Sequence, residues 1–180
     1  MEVKEYKAPS PEETKPKPKS AKLSEGDIAK CQVETYEHIA AVNRLMNYCV
    51  ADLLQRAVNH DASKLQPPEL EGFAAHKIKL SSLTYGSPEY EENRKMLEQT
   101  LAHHYAHNRH HPDHFPNGIN GMTLLDLLEM FCDWSASTKR QHDGNLLMSI
   151  EKNAERFGIS KQLLQILKNT AEEFDKIGSK

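Results

Sequence analysis

Six of the ten histidines fall in one short stretch, as His103, His104, His107, His110, His111 and His114. Imidazole is the commonest metal ligand and the side chain that titrates nearest neutral pH, so packing alone is a poor reason for such density. Two further features could join it. His60-Asp61 pairs an imidazole with a carboxylate, and Asp126, Glu129 or Met130, and Asp133 follow an i, i+3/4, i+7 stripe in an otherwise apolar segment. A buried carboxylate is costly unless a cation or a metal faces it. The stripe therefore needs a partner, which is either Lys139 or Arg140 at the end of the segment or a metal on Asp133, with Asp126 as the alternative. Mixed imidazole and carboxylate donors suit a divalent transition metal (Mn, Fe, Co, Ni or Zn) or Mg, as one or two ions, and leave positions for water and a substrate oxygen.

These residues need helices to hold them. Ser24 and Asp27 resemble a capping box before a long periodic segment carrying Ile28, Cys31, Ile39, Val42, Met46, Cys49 and Leu53. No Gly or Pro interrupts it. His38 and His60 would lie about 33 Å apart on one straight helix, so His38 is a ligand only if the segment breaks. The segment should stop near His60-Asp61, before Pro67-Pro68, and a short helix should follow from Pro68 to about Leu80. Ser87-Pro88-Glu89 is a strong helix start. On that helix Leu97, Leu101 and His104 share one face, and His103 and His107 form an i, i+4 pair on an adjoining one. Pro112, Pro116 and Gly118 end regular structure. Thr123 and Asp126 then open a central, mostly apolar helix, and two more follow over 146–157 and 161–177, parted by a left-handed cap at Gly158.

The expected fold is all-α, with five to seven helices around one core. At 180 residues the chain fits one domain, over 23–180. Residues 1–22, rich in Pro, Lys and Glu, read as a disordered tail. A net charge of −3 gives no basic field for nucleic acid. No apolar run nears the roughly 18 residues of a membrane span and no signal sequence is evident, so a cytoplasmic protein is expected. Cys31, Cys49 and Cys132, without a C-x-x-C pair, suit a reducing compartment and read as buried small hydrophobes. Oligomeric state is not legible.

The ordered set of His38, His60-Asp61, His103-His104 and Asp133 on an all-helical chain resembles the HD-type metal-dependent phosphohydrolases. His60-Asp61-Ala62-Ser63-Lys64 resembles their HD-x-x-K signature, and Cys132-Asp133-Trp134-Ser135-Ala136 their A-D-x-x-A element. Thr84-Tyr85-Gly86-Ser87, the histidine run and the segment 124–134 together look like a small family of bacterial and phage proteins with HD-like sequence and unknown function. The chain departs from the superfamily in lacking a loop between His38 and His60, and in having more histidines than the usual site needs.

The resemblance implies an HD-like fold and metal-assisted hydrolysis of a small phosphate ester, a nucleotide above all. It implies metal ligation by His60, Asp61 and Asp133, with His103 and His104 completing a second position and His38 a further candidate. Lys64 and Arg109 would neutralise phosphoryl charge, and His107, His110 or His111 would protonate the leaving oxygen. Tyr85 would stack on a base or simply pack. Two rival classes use the same donors: an HD-like di-iron oxygenase and a non-enzymatic, metal-stabilised binding protein.

Overall fold

A computed structural model describes residues 23–80, 87–139 and 144–178, with the backbone alone at 78–80 and 175–178. The expected tail, Tyr85 and Arg140 lie outside the described residues. Six α-helices and no strand occur among the described residues, so the protein is all-α. They are α1 (Glu25–Asn59), α2 (Glu69–Leu80), α3 (Pro88–His107), α4 (Leu124–Thr138), α5 (Leu146–Phe157) and α6 (Lys161–Gly178), with short 3-10 turns at Ala62–Leu65, Pro112–His114 and Gly118–Gly121. No described helix is long and apolar enough to cross a membrane.

The described chain divides into two compact units at Met46/Asn47, inside α1. In the first unit α1 starts at a reciprocal Ser24–Asp27 capping pair: the Asp27 amide donates to Ser24 Oγ, and Ser24 N donates to Asp27 Oδ2. The helix has no break, and it buries no residue anywhere along its length. Its apolar periodicity is therefore real, yet it forms no core: Ile28, Ile39, Val42 and Met46 are all exposed. The cysteines correct the sequence reading for the same reason, since Cys31 and Cys49 on α1 are exposed, as is Cys132 on α4.

In the second unit the apolar core lies among α4, α5 and α6, where Met130, Phe131, Trp134, Ile150, Ala154, Ile159, Leu167 and Ala171 are buried together. Thr123 caps α4 in a full capping box with Asp126, and Asn145 caps α5. Gly158 ends α5 at φ 62°, a left-handed conformation open to glycine at little cost. Because 130, 131 and 134 face the core, the stripe 126, 129, 133 lies on the adjoining side of the helix, with Met130 at the border between the two. So α4 is the partition between apolar core and polar site. Its first carboxylate, Asp126, is completely buried, accepting from Arg109 Nε (3.1 Å) and Nη2 (3.0 Å), from Arg56 Nη1 (2.8 Å) and from Thr123. Burial pushes that carboxyl up, but these donors outweigh it and hold it down at about 2.

The helical hairpin of α2 and α3 supplies the opposite wall. It closes tightly at Gly72, where a Cβ would sit 2.0 Å from Thr100 Oγ1 and 2.9 Å from Thr100 Cβ.

Two measurements check this frame. Gly72→Ala should lower stability by about 1–3 kcal/mol in urea unfolding, as overpacking does, and Thr100→Ala in the same chain should restore part of the loss. Asp126 is a depressed carboxylate, so its stabilisation is complete above its ordinary pKa near 4 and is lost as pH falls from there through about 2. Unfolding measured against pH should show that acid limb, and Asp126→Asn should flatten it while lowering stability at neutral pH.

Candidate metal centre

The second unit gathers donors from four segments of chain. At the end of α1, His60 is followed by Asp61, which sits in the left-handed region at φ 58°. Asp tolerates that conformation better than most residues, and here it turns the chain so that the Asp61 carboxylate points back beside His60. α3 contributes His104, the turn after α3 contributes His110 and His111, and α4 contributes Glu129 and Asp133.

One group comprises Asp61, His104, His110 and His111, and a second comprises His60, Asp61 and Asp133; within each, one donor atom per residue lies within 4.8 Å of all the others. The first is the tighter. His104 Nε2 is 2.9 Å from His111 Nε2 and 3.3 Å from Asp61 Oδ1, and His110 Nε2 is 3.6 Å from the same oxygen. Ligands about 2.0–2.1 Å from a common ion in a tetrahedral shell are about 3.3 Å from each other. The observed spacings lie around that value and could be closed around one cation, although the 2.9 Å contact between the His104 and His111 rings is also a hydrogen-bond distance. In the second group, His60 Nε2 is 3.7 Å from both Asp61 Oδ2 and Asp133 Oδ1. Asp61 thus turns one oxygen to each group.

Partners on the far side of each ring settle which nitrogen faces inward. Glu129 Oε1 accepts from His60 Nδ1 at 3.0 Å and lies 3.2 Å from His110 Nδ1, while Glu129 Oε2 takes Arg56 Nη1 at 3.1 Å. Glu69, fully buried at the start of α2, accepts from His104 Nδ1 at 2.8 Å through Oε2. With the protons on Nδ1, the Nε2 lone pairs of His60, His104 and His110 all point into the cluster. Two buried atoms there, Asp61 Oδ1 and His110 Nε2, make no hydrogen bond. An unmet carboxylate oxygen facing an unmet imidazole nitrogen is a pair that a bound cation could satisfy.

Burial, then His110 and His104, push the His111 imidazole down to about 3, which keeps it neutral and able to ligate. Asp133 and Glu129 draw His60 up to about 10 against its burial, so without an ion its Nε2 carries a proton toward Asp133, which a metal would have to displace. Burial raises Asp61 and Glu129, yet their imidazole and cationic partners outweigh it and hold both well below the usual carboxylate range. The cluster is a fixed excess of carboxylate charge that asks for a cation.

Several expected site residues land elsewhere. His38 is exposed in the first unit and belongs to neither group. His103 turns away from the cluster to Glu69 Oε1, at 2.8 Å, so the paired histidines that reach the centre are His110-His111 rather than His103-His104. His107 is exposed, its Nδ1 donating to the His103 carbonyl, and it lines a cleft with His110 and Glu129 without joining either donor group. Arg109 pairs with Asp126 and lies over the face of Phe115, and its half-exposed side chain also lines a cleft with His110 and Glu129. His110 lies within the cluster, in one group with Asp61, His104 and His111. Lys64 does lie at the centre, its Nζ 2.6 Å from Asp61 Oδ2.

The fold and site define an all-helical protein whose second unit holds a buried nest of imidazole and carboxylate donors able to bind a metal. The chain belongs to the family of unknown function DUF5662, whose model matches residues 27–173. No curated protein and no solved structure matches it.

Glu129 fixes two donors at once, so Glu129→Ala should weaken metal binding by about 10–100-fold, read by competition against a chromophoric chelator. Glu129→Gln, which keeps one acceptor, should lose less.

Proposed function

We propose that the protein is a metal-dependent phosphohydrolase acting on a small phosphate ester such as a nucleotide. The observation that carries this reading is Asp61, whose two oxygens face two donor groups, an arrangement suited to one or two divalent transition metals held side by side across a shared carboxylate. The resemblance of His60-Asp61-Ala62-Ser63-Lys64 and of Asp133 to the HD-type enzymes is consistent with it. A bound metal of this kind supplies an activated water near neutral pH and polarises a phosphoryl oxygen.

The chain's own residues do the rest. Glu129 and Glu69 hold the His60, His104 and His110 rings in the ligating orientation, and Asp133 and Asp61 supply the negative charge that keeps a cation in place. Lys64 is partly exposed beside Asp61 and can exchange that oxygen for one on a phosphoryl group, offsetting charge in the transition state. Beside His60 and Asp133 opens a cleft of about 290 Å³, with Leu53, Ala57, Leu128 and Cys132 among its walls. Its apolar lining suits the organic part of an ester. A metal-stabilised binding protein is the second reading, favoured by the four donors of the tighter group, which alone would close a tetrahedral shell.

The test is a panel of nucleoside monophosphates, cyclic nucleotides and a generic aryl phosphate, assayed with Mn, Fe, Co, Ni and Zn in turn. Turnover should vanish in Asp61→Ala with helical circular dichroism retained, and Lys64→Ala should lower kcat by about 10²-fold. Turnover unchanged in Asp61→Ala would overturn the assignment. Metal bound with no turnover across the panel would favour the binding protein.

A further inference from the structure

Glu69 uses both of its oxygens on imidazoles, and only one of those imidazoles belongs to the centre. Oε2 holds His104; Oε1 holds His103, which is 35 % exposed. One turn along α3, His107 stacks on His103 with ring centroids 4.0 Å apart and planes 19° apart. Both outer rings have committed Nδ1, that of His103 to Glu69 and that of His107 to the His103 carbonyl at 2.8 Å. Their Nε2 lone pairs are therefore left free of those partners, side by side on one helix face. One donor atom from each of Glu69, His103 and His107 lies within 4.8 Å of the others.

We propose that His103 and His107, backed by Glu69, form a second and solvent-open site for a divalent transition metal on the surface of α3. Imidazole pairs at i, i+4 project from one helix face, and rotation of their side-chain torsions out of the stack would bring both Nε2 lone pairs to converge on one ion, roughly 3.3 Å apart. Imidazole donors suit Zn, Ni or Cu over Mg or Ca. The buried Glu69 carboxylate raises the basicity of His103 and fixes its ring, as such carboxylates do behind ligating histidines. Water completes the shell, because His107 is exposed. The other Glu69 oxygen holds His104, so a cation on the outer pair draws on the same carboxylate that orients a donor of the buried centre. Occupancy of one site then alters affinity at the other, and reciprocally. The outer site stands whether or not the buried centre is hydrolytic.

The experiment is calorimetric titration of the metal-depleted full-length chain with Zn²⁺, repeated with Ni²⁺. Wild type should show a weaker binding event beyond those of the buried centre. His107→Ala should remove that event and keep the tighter ones; the side chain is exposed, so the fold is not at stake. Asp61→Asn should do the opposite, weakening the tight binding while the outer event persists, which separates failure of this site from failure of the buried one. His114→Ala is the control for a nearby imidazole. A weaker event that survives in His107→Ala, or its absence from wild type, overturns the proposal.

Discussion

The structure turns on one unmet contact, between Asp61 Oδ1 and His110 Nε2, which are buried, 3.6 Å apart and without hydrogen-bond partners. Burial makes such atoms expensive, and these two persist because everything around them is held rigidly in place. The left-handed backbone at Asp61 aims the carboxylate inward. Glu129 and Glu69 aim the imidazoles at it from behind. Bare donors held this close could be satisfied by a bound cation.

That contact rests on a second layer of charge. Arg56 ties Asp52, Asp126 and Glu129 together, so the end of α1 and the polar face of α4 are cross-linked through one guanidinium. Arg109 brings the turn after α3 to the same Asp126. His110 follows Arg109 directly in the chain, so anchoring the arginine also positions the histidine. Arg109 thus helps to shape the centre, and Lys64 is the cation beside Asp61.

Helix starts and stops were legible because their causes are local: Ser87-Pro88, the Thr123–Asp126 box and Gly158 each act within one turn. The carboxylate stripe on α4 was equally legible, since helical periodicity alone puts 126, 129 and 133 on one face. The choice between His103 and His104 was not, because adjacent residues on a helix point about 100° apart and only the packing of α2 decides which one faces inward. His110 and His111 lie in a turn without periodicity, so their direction depends on the Arg109 anchor some seventeen residues away from its partner. Glu69 reads in the sequence as an ordinary acid favouring a helix start, and only three dimensions show it bridging two histidines. The apolar stripe of α1 misled in the opposite sense, since periodicity identifies an apolar face but not what covers it.

The central claim is that this chain is built around a metal, and elemental analysis of protein purified without chelator tests it most directly. A stoichiometric content of Mn, Fe, Co, Ni or Zn in wild type, lost in Asp61→Ala, is the predicted result. Wild-type protein with only trace metal, and no rise in Tm when each of those ions is added, would contradict it.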